Sequence, residues 1–174
     1  MKYRKMLNNW QDPYIMRLLR LIETQSKETI TNWCVSYAEK RLLPIYKAER
    51  ENDTRPEAAL AAARSWKAGS IKLPDAKKII QECRQAAREA ENNPIAQAAA
   101  KAIFQCAGTI HTPTHSAGLI FCGALAVAYA ELGIDTAWGK LLVSAEAEIG
   151  KMEAALQAIA VEDEPNPAKI SWNC

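Results

Sequence analysis

The chain has 174 residues and a net charge of +2, with 22 lysines and arginines against 20 acidic residues. This length is typical of a single domain. The near-neutral charge gives no reason to expect a nucleic acid or an anionic membrane as a partner. The first ten residues are basic, but no apolar run follows them, so we expect no secretory signal peptide.

The five cysteines share no CxxC spacing and are odd in number, which argues against a zinc ribbon and a disulfide framework. Several of them fall in phase with apolar residues of a predicted helix, as Cys83 does with Ile79 and Ile80. We therefore expect them to be small, reduced core residues of a cytoplasmic protein.

Helical periodicity covers almost the whole chain, and no strand-like alternation is present. The pair Asn93-Pro94 marks one helix start, and Asp135 is the expected cap of the last helix. Pro44 falls inside a helical pattern and predicts a kink or a break near residues 40–44, because an interior proline loses a backbone hydrogen bond. The pattern predicts seven helices, over about 12–25, 26–50, 53–69, 74–90, from 94 onward, 116–130 and 135–160.

The run SAGLIFCGALAVAYA, residues 116–130, is apolar on every side. It falls short of the roughly 20 residues that a membrane span needs, so we expect no membrane partner. A helix without a polar face belongs in the middle of a bundle. The predicted fold is a single-domain, all-α bundle of about seven helices around this central helix, formed by residues 1–161. Residues 162–174 form a polar, proline-bearing tail, which we expect to be ordered where Trp172 docks.

The third predicted helix carries recognisable start and stop signals. Thr54 occupies the position of an N-cap, and Glu57, three residues later, can complete a capping box. Pro56 falls in the first turn, where its missing N–H costs nothing. Gly69 predicts the C-terminal end.

The same segment brings Asp53, Arg55, Arg64 and Trp66 close together in sequence, and they form the first candidate cluster. An ion pair of Asp53 with Arg55 or Arg64 would brace the turn into the helix, and the sequence supports a binding role for these charges about equally. Trp66 lies on the apolar face, as expected of a core anchor.

Both histidines, His111 and His115, lie in the segment IHTPTHSAG, residues 110–118. An H-x-x-x-H spacing can place two metal ligands on one helix face. The dipeptide Thr112-Pro113 argues against this, because it looks like a helix start that leaves His111 outside the helix. We therefore predict no metal and no cofactor, and leave open a structural corner or a binding or catalytic role for the pair.

The chain contains four motifs in order: W-x-x-x-Y-A-E-x-x-L-x-P-x-Y from Trp33, D-x-R-P-x-x-A-L-x-A-x-R-x-W-x-x-G from Asp53, A-A-R-E-A from Ala86 and H-x-P-x-H-x-A-G from His111. Together they resemble the immunity-five-like group of immunity proteins from bacterial polymorphic toxin systems, over about residues 33–129. The resemblance implies an all-helical, cytoplasmic protein that binds and neutralises a cognate toxin.

Arg84 departs from the resemblance, because a histidine is expected at that position, and Ser116 stands where alanine is usual. Arg84 and Arg88 lie one helical turn apart, with Glu82 and Glu89 nearby. This pattern favours a solvated face of mixed charge over a phosphate site.

The sequence contains no GxGxxG, no GxxxxGK[ST] and no GxSxG motif, so we assign no catalytic residue. We predict a non-enzymatic protein that binds and neutralises a toxin. The alternative is a helical enzyme, or a small-ligand or metal-binding protein, with a pocket that gathers five polar residues: Asp53, Arg55, Arg64, His111 and His115.

Overall fold

The computed structural model describes residues 3–173, and over that range it contains seven helices and no strand. The helices are α1 (Pro13–Glu23), α2 (27–49), α3 (Arg55–Lys67), α4 (Leu73–Glu89), α5 (Pro94–Gly108), α6 (Pro113–Leu132) and α7 (Trp138–Gln157). Helix α2 has a π-helical turn in its middle, and α6 begins with a 3-10 turn and contains a second π-helical turn. The predicted all-α, single-domain bundle is thereby confirmed.

Helix α6 lies at the centre of the bundle. Every residue from 119 to 129 is buried, and the helix packs against α2, α5 and α7. The expectation that this segment is too short for a membrane span is wrong, because the helix extends beyond the apolar run at both ends. With 20 residues, α6 is long and apolar enough to cross a membrane, yet 67% of its most apolar window is buried inside the protein. Such burial is typical of the core helix of a bundle, and the absence of a membrane partner stays a prediction.

Helix α2 runs past Pro44 without a break. The expected distortion takes the form of a π-helical turn over Ala38–Leu42, just before the proline. In a regular α-helix the proline ring would collide with the carbonyl of Lys40, and a wider turn relieves that clash. The helix therefore continues where the sequence allowed for an interruption.

A buried carboxylate joins α2 to α7. The Glu148 side chain is 2% exposed and accepts hydrogen bonds from the Tyr37 hydroxyl at 2.6 Å and from Arg41 Nε at 3.0 Å. Lys151 contacts the same carboxylate at 3.3 Å. Burial raises the pKa of Glu148, but the hydrogen bonds from Arg41 and Tyr37 outweigh this effect and hold the pKa below its usual range. Because an unpaired buried charge is strongly destabilising, this cluster fixes how the two helices meet.

The segment before α1 also belongs to the core. Leu7 is fully buried, and its backbone N–H donates to the carbonyl of Phe121 in α6 at 2.9 Å. The Trp10 and Phe121 rings lie 3.9 Å apart, centroid to centroid. The Tyr129 hydroxyl donates to the carbonyl of Arg4 at 3.0 Å. This segment therefore covers one side of the central helix.

The start of α3 differs from the expectation. Thr54 makes no capping hydrogen bond, because its backbone is near-helical (φ −89°, ψ −1°) rather than extended as an N-cap requires. Asp53, one residue earlier, accepts the backbone N–H of Arg55 at 3.1 Å instead. Glu57 does not complete a capping box and pairs with Lys47 of α2 at 2.8 Å.

The last helix also begins without its predicted cap. Helix α7 starts at Trp138, three residues after Asp135, whose carboxylate accepts a hydrogen bond from Tyr3. Two other predicted boundaries are confirmed. Asn93 caps α5 through its side chain, and Gly69, which follows α3, has φ +74°, a conformation that glycine adopts without strain.

Four of the cysteines, Cys34, Cys83, Cys106 and Cys122, are buried and unpaired, as expected of small core residues. Cys174 lies outside the described residues. Burial raises the pKa of Cys122 to about 11 and also raises the pKa of Cys34 and of Cys83. These thiols are therefore protonated at neutral pH and unreactive.

The chain after α7 returns to the junction between α1 and α2. The Gln25 side chain exchanges two hydrogen bonds with the backbone of Val161, and the Gln25 carbonyl accepts the N–H of Ala168 at 2.8 Å. The Trp172 indole N–H donates to Glu23 at 2.5 Å. Trp172 thus docks as expected, whereas the division of the chain at residue 161 stays a prediction.

Helices α5 and α6 approach each other closely where α6 begins. A Cβ atom on Gly118 would lie 2.2 Å from Cβ and 2.4 Å from Cγ of Gln105. A Cβ atom on Gly108 would lie 2.5 Å from Nδ1 of His115. Neither position has room for a side chain, so the two glycines set the spacing of these helices.

We expect Gly118→Ala to lower the free energy of unfolding by about 1–3 kcal/mol, because the new methyl group overpacks the contact with Gln105. Gly150→Ala is the matched control: it lies inside α7, and an added Cβ meets nothing within 4 Å. That change should stabilise the protein by up to about 1 kcal/mol, since alanine is the better helix former. Urea unfolding followed by circular dichroism measures both. A Gly118→Ala variant as stable as the Gly150→Ala variant would contradict the packing argument.

Candidate functional site

An ion pair between Asp53 and Arg55 forms at the turn into α3. Arg55 Nε and Nη2 donate to the two carboxylate oxygens of Asp53 at 2.9 and 2.7 Å, a bidentate geometry. The Tyr46 hydroxyl donates to Asp53 at 2.7 Å, and Arg55 also reaches Glu89 of α4 at 2.7 Å. The hydrogen bonds from Arg55, with a smaller contribution from Tyr46, lower the pKa of Asp53 to about 2 against the opposing effect of burial. This cluster, the Asp53 brace, fixes the turn between α2 and α3 against α4.

Arg64 does not join the Asp53 brace. It donates to both carboxylate oxygens of Glu39 in α2, at 2.9 and 2.7 Å. The two side chains are 44% and 35% exposed, so the pair contributes at most about 1 kcal/mol. Trp66 is half-buried at the edge of the core, and the Lys27 ammonium lies 5.9 Å from the centroid of its ring.

The Asp53 brace makes a pH-dependent contribution to stability that can be measured. The pKa of this carboxyl is about 2 in the folded protein and 3.8 as its ordinary value. Because the folded pKa is the lower one, the contribution is complete well above pH 4 and is lost as the pH falls from about 4 towards about 2. We expect the difference in free energy of unfolding between the parent and Asp53→Asn to shrink by about 1 kcal/mol between pH 6 and pH 3.

Urea titrations at the two pH values test this expectation. Glu51→Gln is the control, because Glu51 is exposed in the same turn and forms no ion pair with a described residue. Its stability difference from the parent should stay near zero at both pH values. A difference between the parent and Asp53→Asn that does not change with pH would mean that the carboxyl is not held in its charged form by the brace.

The two histidines meet at the corner between α5 and α6. Their rings are 5.7 Å apart, centroid to centroid, and nearly perpendicular. The Nδ1 atoms of both rings are buried without a hydrogen-bond partner. Burial lowers the pKa of His111 and of His115, and Lys77 lowers that of His111 further. Both rings are therefore neutral at pH 7, and the corner carries no charge of its own.

The structure does not bring the five residues of the alternative pocket together. Asp53 and Arg55 border a shallow depression with the loop 49–52, His115 lines a separate cleft, and Arg64 pairs with α2 on the outside. Among residues 3–173, no three His, Cys, Asp or Glu side chains are placed to hold a metal ion.

A cleft of about 490 Å³ between α4 and α5 concentrates positive charge. Arg84 and Arg88 line it from α4, Lys101 from α5, and Lys5 from the segment before α1. No carboxylate lines this cationic cleft, and none of the four cations forms an ion pair in the described part of the chain. The Arg84 guanidinium lies 5.8 Å from the centroid of the Phe104 ring. The charge of the cleft is thus open to solvent and unneutralised.

The charge spacing predicts a solvated face of mixed charge for Arg84 and Arg88, and both are exposed without an ion pair to a described acid. Glu89 pairs with Arg55 on another side of α4, and Glu82 does not line the cleft. Lys101 is not among the candidate residues predicted from the sequence. Its position as a lone lysine in the alanine-rich sequence of α5 is the signal that could have identified it. Lys5 could not be found, because no local pattern predicts that the segment before α1 reaches α5.

The sequence matches the family described as "Imm-5 like putative immunity protein" over residues 20–159. The chain belongs to this family. The match includes all four motifs of the resemblance and extends it on both sides, from within α1 to the end of α7. No curated protein and no solved structure matches the chain.

Proposed function

We propose that this protein protects a bacterial cell by binding a cognate toxin in the cytoplasm, as a stoichiometric inhibitor and not as an enzyme. Membership of the immunity protein family over residues 20–159 is the observation that carries the proposal. The geometry is in keeping with it. Three of the five residues of the alternative pocket, Asp53, Arg55 and Arg64, are engaged in ion pairs.

We further propose that the loop 49–52 contributes an anchor for the toxin. Glu51 and Asn52 are exposed at its tip. The Asp53 brace holds the base of the loop, and the side chain of Asn93, the N-cap of α5, donates to Glu49 at 2.7 Å. A loop that is ordered before binding loses little conformational entropy when a partner docks. Specific recognition would bury roughly 800 Å² per partner, so the loop is part of a larger contact surface.

Co-expression with the toxin encoded beside this gene tests the proposed neutralisation. We expect cells that produce the toxin to grow only when this protein is also present. We also expect the purified protein and a catalytically inactive form of the toxin to co-elute from a sizing column as a complex of fixed ratio. Equal death with and without this protein, together with the absence of a complex, would contradict the proposal.

The double variant Glu51→Ala/Asn52→Ala tests the role of the loop. We expect it to unfold like the parent and to bind the toxin at least about tenfold more weakly, since a central anchor contributes about 2 kcal/mol or more. The control Glu162→Ala/Asn166→Ala removes one glutamate and one asparagine from exposed positions of the tail. Calorimetric titration with inactive toxin compares the two. Equal affinities would show that the toxin binds elsewhere.

A further inference from the structure

We propose that the cationic cleft between α4 and α5 is a binding site for a small molecule that carries two or more phosphate groups. Its four cations come from three parts of the chain: Arg84 and Arg88, Lys101, and Lys5. A protein of net charge +2 normally mixes cations with acids over its surface. In this protein Arg41, Arg55 and Arg64 are each paired with a carboxylate. The four cations of the cleft form no ion pair with a described residue.

The free protein keeps these cations together at a cost. Arg84 and Arg88 lie four residues apart on one helix, a spacing at which like charges repel each other. Lys101 adds a third positive charge from the opposite wall. A bound polyanion would remove this repulsion. It would also accept hydrogen bonds from guanidinium groups, whose planar forks match pairs of phosphate oxygens.

His115 supplies a neutral hydrogen-bond donor at the wall of the cleft. Its Nδ1 is buried beside Gly108 without a partner, so Nε2 is the nitrogen that solvent reaches. A buried N–H group without a hydrogen-bond partner is rarer than a buried acceptor without one. We therefore assign Nδ1 of His115 as the unprotonated nitrogen and Nε2 as the protonated one. The absence of a side chain at Gly108 gives the ring the space that this orientation needs. A neutral imidazole held in this way can donate a hydrogen bond from Nε2 to an anion.

The remaining lining suits an organic phosphate better than a bare ion. The volume of about 490 Å³ falls within the range of about 300–1,000 Å³ that is typical of small-ligand sites. Phe104 provides an aromatic wall, and three glutamines, Gln81, Gln97 and Gln105, provide neutral donors and acceptors. These groups can contact the uncharged part of a phosphorylated molecule while the cations hold its phosphates.

Calorimetric titration of the full chain with sodium pyrophosphate tests the site without any toxin, so its outcome is independent of the proposed function. We expect saturable binding of one pyrophosphate per chain. The double variant Arg84→Gln/Arg88→Gln should bind at least about tenfold more weakly, a loss of about 1.4 kcal/mol. The control Lys77→Gln/Lys78→Gln removes two exposed positive charges from the same helix, outside the cleft, and should change the affinity less than about twofold.

Thermal melting separates a binding role from a structural one. Without pyrophosphate, Arg84→Gln/Arg88→Gln should melt at or above the temperature of the parent, because the repulsion is relieved. With pyrophosphate the parent should melt at a higher temperature, and this variant should not. Lys101→Gln, which changes the opposite wall, should show the same loss of stabilisation.

Three results would overturn the proposal. The first is no saturable binding of pyrophosphate by the parent. The second is an equal loss of affinity in the two double variants, because the attraction would then be general and not local. The third is an equal rise in melting temperature with sodium chloride at the same ionic strength.

Discussion

The fold depends on one constraint, which is that helix α6 has no polar face. A helix that is apolar all round can leave water only if other elements cover it on every side. Helices α2, α5 and α7 and the segment before α1 provide this cover, and every residue from 119 to 129 is buried. The bare backbones of Gly118 and Gly108 let α5 come close to the start of α6. Much of the remaining architecture serves to hold the covering helices in place.

The charges of the protein divide into two groups. Buried or half-buried carboxylates have close cationic partners: Glu148 has Arg41, and Asp53 has Arg55. The pair of Glu148 and Arg41 joins two helices that are distant in sequence, and the pair of Asp53 and Arg55 fixes a turn. Both pairs therefore have a structural role. The cations of the cleft have no such partners among residues 3–173. This asymmetry distinguishes the cleft from every other cluster of charge that the sequence suggested.

The sequence was informative where a physical signal is local. The all-round apolar pattern predicted the central helix, Asn93-Pro94 predicted the start of α5, and the crowding of Asp53 and Arg55 predicted their ion pair. The sequence misled where two local signals compete, as at Thr54, whose backbone turns helical so that Asp53 becomes the acceptor. Arg64 was the least predictable site residue, because its partner Glu39 lies 25 residues away and is chosen by packing.

The cleft lay beyond local reasoning for the same reason. Its walls come from α4, α5, α6 and the segment before α1. None of these four parts contributes more than three of the polar side chains that line the cleft. Charge spacing along α4 suggested a mixed face. In the folded protein Glu89 pairs with Arg55, and no carboxylate lines the cleft between α4 and α5. Arg84 and Arg88 therefore line it without an acidic partner.

The hydrogen bond from Leu7 to Phe121 extends the folding unit of this chain beyond the residues that match the family. The family match begins at residue 20, after Leu7 has entered the core and Lys5 has reached the cleft. At the other end, Val161 and Ala168 are tied to Gln25 beyond the last matched residue. A chain trimmed to the matched residues would uncover the central helix on one side and lose a wall of the cleft. The folding unit of this chain thus extends beyond the matched residues at both ends.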